Sequence, residues 1–210
     1  MNAESAPGPG AHRSGWFANR PLAVKFGILL AVIAFACGGI LTSMIVGNAA
    51  VTAASEEVRH LNQAEKLVLQ LDTRASELKV DGFKAIVREV PSEQLSELAD
   101  DIATPEAMLA ELDGIHLSDA PPAAEAVAAL SESYGAYTDA ITAFVDSAVA
   151  NQAGTRVRWE EIQAANDLTD GAVGAAKDAL ALASEEAQTE LEATIERTET
   201  ISLGVAAAAI

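Results

Sequence analysis

The feature that most constrains this chain is an uninterrupted apolar run near its N-terminus. The 21 residues of Phe26–Val46 contain no charged side chain. A helix of about 20 residues is long enough to cross the hydrocarbon core of a bilayer. A cleaved secretory signal, with Val51-Thr52-Ala53 as its cleavage motif, is the alternative, but its apolar region usually has only about 7–15 residues. We therefore predict that Phe26–Val46 is a membrane-spanning helix.

Charge is distributed very unevenly on the two sides of this run. Residues 1–25 carry three basic side chains and one acidic side chain, whereas the rest of the chain carries ten basic and thirty acidic ones. Basic residues beside a span favour the cytoplasmic side. We expect residues 1–25 to form a cytoplasmic tail and the acidic remainder to lie outside the cell. Such an acidic surface argues against nucleic acid as a partner, because binding to phosphates needs basic residues.

The other end of the chain is apolar again. The ten residues from Ile201 to Ile210 carry no charge, which is too few to span a bilayer. We expect a second transmembrane helix to start at Ile201, with the chain truncated inside it (residues 201–210). The alternative is an apolar helix end. The single cysteine, Cys37, lies in the first run, where we expect a small buried side chain.

The residues between the two apolar ends, 47–200, have a helical pattern throughout. The first helix continues out of the membrane and is stopped by Pro91, because proline disfavours helix at the residue before it. The second helix begins after Ser92 as a possible N-cap and continues, kinked, across Pro105. Residues 114–122 contain Gly114, Ser118, Asp119, Pro121 and Pro122, residue types that indicate a turn.

The third helix has an apolar stripe with Ser133 on its exposed face. We expect the segment Asn151-Gln152-Ala153-Gly154 to end it, with Gly154 as the C-terminal residue and Thr155 as the next N-cap. The fourth helix, from Trp159, runs without proline into the C-terminal apolar residues. No short run of β-branched residues between turns indicates a strand. The predicted fold class is all-α: a membrane-anchored antiparallel four-helix bundle whose first and fourth helices are continuous with transmembrane helices. The predicted stripe of the third helix is Val127, Leu130, Tyr134, Tyr137, Ile141, Phe144 and Ala148.

The sequence contains no motif for catalysis or for a cofactor. His12, His60 and His116 are far apart in the sequence and form no metal-ligand pattern. Adjacent acids such as Asp100-Asp101 point about 100° apart on a helix, so we expect them to be solvated charges. No catalytic residue, no metal ligand and no cofactor is assigned, and the chain is not expected to be an enzyme.

Two groups of side chains are candidate ligand sites. Arg156 and Arg158 beside Trp159, with Arg88 expected nearby, could grip an anion. Surface ion pairs are the simpler interpretation of these arginines. Tyr134 and Tyr137 could line a pocket, but both lie on the apolar stripe, where packing in the core is the simpler expectation. The ligand-binding residues therefore remain unassigned.

The juxtamembrane segment Trp16-Phe17-Ala18-Asn19-Arg20-Pro21, followed by a span, four helices and a second apolar run, resembles a known architecture. It is similar to the N-terminal sensory half of bacterial methyl-accepting chemotaxis proteins with a four-helix-bundle ligand-binding domain. The resemblance implies a homodimer in a bacterial plasma membrane that senses an unknown small molecule or protein and signals by helix displacement. A membrane histidine kinase or cyclase with a similar sensor, and an anchored or secreted structural protein, are the alternatives.

Overall fold

A computed structural model describes residues 20–208, and these residues are all-helical. It contains α1 (Leu22–Val87), α2 (Glu93–Asp113), α3 (Pro121–Arg156) and α4 (Glu160–Ala208), and no strand occurs among the residues described. The all-α prediction and the number of helices outside the tail are therefore confirmed. Most of the predicted tail, residues 1–19, and the last two residues, 209–210, lie outside the described part of the chain.

The chain divides into two compact units, and the buried core belongs to Ala49–Ile195. α1 and α4 each contribute residues to both units. The first fully buried residue of α1 is Leu61, and the last buried residue of α4 is Ala187. Between these limits the helices bury their apolar stripes against one another, which removes a large apolar area from water and stabilises the helical bundle.

The sequence-predicted stripes agree closely with the buried positions. All seven predicted residues of α3 are buried. Outside α3, the large apolar side chains of Leu95 at the start of α2, Trp159 just before α4 and Ile195 at the end of the core unit are exposed. Ser133 is half-buried rather than exposed, with its hydroxyl 3.4 Å from the Oγ1 atom of Thr169 on α4. Packing against a neighbouring helix, which a single-helix pattern does not describe, explains this difference.

Hydrogen bonds between helices define how the four elements of the core unit are aligned. Between α1 and α3 residue numbers rise together, since the Tyr134 hydroxyl donates to the Leu71 carbonyl and the Gln152 amide to that of Ala85. Between α1 and α4 one number rises as the other falls: Lys177 bonds Asp72, and Ser184 lies 3.5 Å from Asn62. The pairs Arg88–Glu97 and Gln63–Glu111 give the same falling order for α1 and α2.

The predicted limits of α2 are nearly correct. α2 follows Ser92, but the Ser92 side chain forms no capping hydrogen bond, so this residue has the position of a cap without its function. The helix continues through Pro105 as expected. The next helix begins earlier than its stripe suggested, because Pro121 and Pro122 occupy its first turn. Proline is well tolerated there, since the first N–H groups of a helix have no intrahelical partner.

The predicted end segment of α3, residues 151–154, contains the interruption of the helix but is not its end. The backbone of Asn151 is non-helical (φ −156°, ψ 80°), and one further turn continues to Arg156. The Asn151 Oδ1 atom accepts the Gly154 N–H at 3.1 Å, which is the bond of an N-cap side chain to the third residue of a helix. A Cβ at Gly154 would overlap the Asn151 side chain, so the absence of a side chain permits this cap. Thr155 is buried and caps nothing; its hydroxyl donates to the Asn151 carbonyl.

The second unit, described over residues 20–48 and 196–208, contains the apolar run, and none of its residues with a described burial is buried. Among the described residues, α1 is the one helix with a window long and apolar enough to cross a membrane. Most large apolar side chains of the run Phe26–Val46 are exposed, with Phe35 at 89%. Cys37 is also exposed in this unit. Within this unit, a Cβ at Gly47 would overlap Thr198, so the small residue allows the two helices to approach closely.

Candidate functional site

The arginine group at the end of α3 has a structural role. The Arg156 guanidinium donates two hydrogen bonds to the Ile86 carbonyl, at 2.9 and 2.7 Å. Gln152 donates to the carbonyls of Ala85 and Arg88, at 3.1 and 2.6 Å. The last carbonyls of a helix have no intrahelical donor, and the helix dipole places partial negative charge there. Arg156 and Gln152 therefore cap the C-terminus of α1.

The other two arginines of this group form exposed ion pairs. Arg88 donates to Glu97 at 2.8 Å, and Arg158 donates to Glu161 at 2.7 and 2.6 Å. The hydrogen bond to Glu97 raises the pKa of the Arg88 guanidinium, and that to Glu161 raises the pKa of Arg158. Trp159 is 45% exposed and packs at a tilt against Phe83. All three guanidinium groups already have partners, so this geometry gives no support to an anion site.

This assignment predicts different consequences for two neighbouring arginines. Arg156→Ala removes two charge-assisted bonds to a helix end and should lower the free energy of unfolding by about 1–2 kcal/mol. Arg158→Ala removes an exposed ion pair that water already screens, and its effect should be clearly smaller. Urea unfolding followed by circular dichroism measures both. A larger loss for Arg158→Ala than for Arg156→Ala would contradict the capping role.

The two tyrosines of α3 belong to the core. Tyr134 and Tyr137 are fully buried with edge-to-face rings, and the Tyr137 hydroxyl donates to the Ala75 carbonyl at 2.8 Å and lies 3.2 Å from Asn166 Oδ1. Burial raises the pKa of both hydroxyls, because the charged phenolate would lose its hydration. The expectation of core packing is confirmed. The hydroxyls also join α3 to α1 and α4.

The structure reveals a site that the sequence analysis missed, at Asp81 of α1. This aspartate is only 1% exposed. The Lys84 ammonium donates to its Oδ1 atom at 2.6 Å, while the buried Oδ2 atom has no hydrogen-bond donor among the described residues. A signal existed in the sequence: Asp81 lies three residues after Leu78 and four before Ala85, both on the buried stripe. An acidic residue at this position of the apolar stripe must either be buried in the core or displace the helix from it.

Asp101 of α2 is the acidic neighbour of Asp81. Two ionised carboxylates cannot bond to each other, so this contact becomes a hydrogen bond only when one of them carries a proton. That hydrogen bond to Asp81, then burial, then the negative charge of Asp81 raise the pKa of the Asp101 carboxyl above its usual range. Asp101 itself is exposed, and its carboxyl interacts with that of Asp81 across two helices.

A surface groove of about 530 Å³ adjoins this acid pair. Its walls combine charged side chains with two hydroxyls and an apolar valine. Arg74 is paired with Glu77 on the same helix. The lining residues are Thr73, Arg74, Ser76, Glu77, Val80, Asp81, Lys84 and Asp101.

Two of the histidines, His60 and His116, lie close to each other. The rings of His60 and His116 lie 6.4 Å apart, edge to face, and His116 also contacts the Ser118 hydroxyl at 2.7 Å. Within residues 20–208, no group of three or more histidine, cysteine or acidic side chains is arranged to hold a metal ion. His12 lies outside the described residues.

Comparisons with protein-family models, with curated proteins and with solved structures found no match to this chain.

Proposed function

We propose that this chain is the sensing part of a bacterial transmembrane chemoreceptor of the methyl-accepting type. In this proposal Phe26–Val46 crosses the plasma membrane, the tail lies in the cytoplasm and the helical domain lies outside the cell. A second span begins at Ile201. The receptor acts as a homodimer and responds to a small molecule or a protein by displacing one membrane-crossing helix relative to another.

The observation that carries this proposal is the continuity of α1. A single helix extends over Leu22–Val87, begins with exposed apolar residues and ends with residues buried in the core. A water-soluble protein seldom exposes so large a contiguous apolar surface, whereas a bilayer would cover it. A continuous helix can carry a small axial displacement from a domain in water to a segment in lipid. Close packing at Gly47 and Thr198 supports the pairing of two membrane helices.

The interhelical hydrogen bonds support an antiparallel order of α1 to α4 in the core unit. α1 and α3 align with rising residue numbers, as in Tyr134–Leu71, and α4 aligns in the opposite sense, as in Lys177–Asp72. This is the pattern of an up-down-up-down bundle with short connections. In such a bundle the first and last helices start and finish at the same end, which is the arrangement a two-span receptor requires.

Cysteine labelling in intact cells tests the topology. In a Cys37→Ala background, Ser92→Cys should react with a membrane-impermeant thiol reagent, because the connection between α1 and α2 is proposed to lie outside the cell. The matched variant Ser14→Cys, in the proposed cytoplasmic tail, should react only after the cells are permeabilised. Labelling at Ser14 with protection at Ser92 would reverse the topology. Release of the chain from membranes by high salt would exclude a membrane span.

A further inference from the structure

α4 exposes an apolar face on the side away from the core. Leu168 is 75% exposed and Leu182 is 64% exposed, although most leucines of the core unit are buried. Successive residues of a helix are rotated by about 100°, so residues about seven positions apart lie on nearly the same side. Leu168, Ala175 and Leu182 follow this spacing and share one face. The buried residues Ala176 and Leu180 lie about 100–140° away from Ala175 around the helix.

This face carries no charged side chain over about five turns of α4. Its residues lie within about 40° of Ala175 around the helix, and all of them are exposed or half-buried. A Cβ at Gly171 would meet nothing within 4 Å among the described residues, so the surface around it is open. Glu161 and Glu186 bound the face at its two ends. The α4 face consists of Ala164, Leu168, Gly171, Ala175, Ala179 and Leu182.

The α4 face is too small to hold a partner that diffuses freely in water. It is about 27 Å long from Ala164 to Leu182, and a whole helix is only about 10 Å wide. Two such strips packed together bury far less than the roughly 1,600 Å² of a standard interface between proteins. A partner held in the same membrane has a high effective concentration, so a smaller contact is sufficient. In the proposed function, on which this inference rests, a second copy of the chain is such a partner.

We propose that the α4 face is the surface through which two copies of the chain contact each other in the membrane. Two copies inserted in the same way are parallel, so a twofold axis between them brings each residue of the face close to its equivalent. Acidic residues lie along one flank of the face: Asp167, Asp178 and Glu185. Alanines lie along the other flank: Ala165, Ala172 and Ala183. The axis sets one flank of a helix against the opposite flank of its partner, so acids face alanines rather than acids.

A second exposed stripe, on α1, fits a parallel pair less well. It consists of Leu69, Thr73, Ser76 and Val80. In a parallel pair of helices, flanking residues about five positions apart meet across the contact. Asp72 of one copy would then lie near Glu77 of the other. Lys79 would lie near Lys84 in the same way. These like charges repel each other, whereas the alanines beside the α4 face carry none.

Cysteine cross-linking in membranes tests the contact. In the Cys37→Ala background, Ala175→Cys should form a disulfide between two copies on mild oxidation. A disulfide needs Cα atoms within about 7 Å, and only residues near the twofold axis meet their own equivalents at that distance. Ala136→Cys, at an exposed alanine of α3, is the matched control and should cross-link at least about fivefold less. Equal cross-linking at the two positions, or none at Ala175→Cys, would overturn the proposal.

A charge placed on the face is an independent test. Leu168→Glu sets two carboxylates against each other across the axis and should lower the cross-linked fraction of Ala175→Cys by about fivefold or more. Leu69→Glu, at an exposed leucine of α1, should change that fraction by less than about twofold. Circular dichroism checks that both variants keep their helix content. A larger loss with Leu69→Glu than with Leu168→Glu would assign the contact to α1 and reject the α4 face.

The small size of the face predicts that the contact depends on the membrane. When oxidation follows dissolution in excess detergent, Ala175→Cys should no longer cross-link, because the copies are no longer held together. Undiminished cross-linking in detergent would contradict a contact held by the membrane. The product formed in membranes should have twice the mass of the chain, and any other mass would assign the face to a different protein. Labelling at Ser92 does not depend on this contact, so a failed contact and a failed topology are distinguished.

Discussion

Leu130→Ala should lower the free energy of unfolding by about 2–5 kcal/mol. Leu130 is completely buried in the first half of α3, among the apolar residues that all four helices contribute to the core. Truncation to alanine removes buried methyl groups and leaves a cavity that close-packed helices cannot fully close. Urea unfolding of the whole chain in detergent, followed by circular dichroism, measures the loss.

The same chemical change at an exposed leucine is the control. Leu168 lies on α4 and is 75% exposed, and leucine and alanine have similar helix propensities. Leu168→Ala should therefore change stability by no more than about 0.5 kcal/mol. Similar losses for both variants would mean that the stripe of α3 does not face the core. Ser133, which the sequence placed on the exposed face, is unsuitable as a control because α4 covers part of it.

Ala187→Pro should be the most disruptive single change in α4. Ala187 is buried and lies far from either end of the helix. Proline removes a backbone hydrogen bond and clashes with the preceding turn, which costs about 3 kcal/mol or more. Ala187→Gly keeps the hydrogen bond and should cost about 1 kcal/mol through helix propensity. An equal loss of stability for the two variants would argue against an unbroken helix at this point.

The same pair of variants tests signal transmission in a hybrid receptor, in which the chain is followed by the output domain of a characterised chemoreceptor. Tyr137→Phe removes the hydroxyl that joins α3 to α1 and α4, so it perturbs the bundle without adding a ligand. We expect Tyr137→Phe to shift the basal output in the natural and Ala187→Gly backgrounds, but not in Ala187→Pro. A shift that persists with proline at 187, or no shift in any background, would contradict transmission through α4.

The sequence determined the helices and most of the core, because both depend on local periodicity. The stripe from Leu130 to Ala148 could be predicted since one face of a helix recurs every three or four residues. The apolar run was equally clear, because its length and lack of charge are properties of the sequence alone. Pro91 and the turn residues between Gly114 and Pro122 indicated the connections between helices for the same reason.

Only the tertiary structure decided which polar side chains meet. The carboxyls of Asp81 and Asp101 belong to different helices, and the contact between them depends on the alignment of α1 with α2. Arg156 became a cap of α1 rather than a ligand-binding arginine, because the end of α3 lies beside the Ile86 carbonyl. Periodicity gives the face of each helix, whereas the axial position of one helix against another is set by packing along the whole interface.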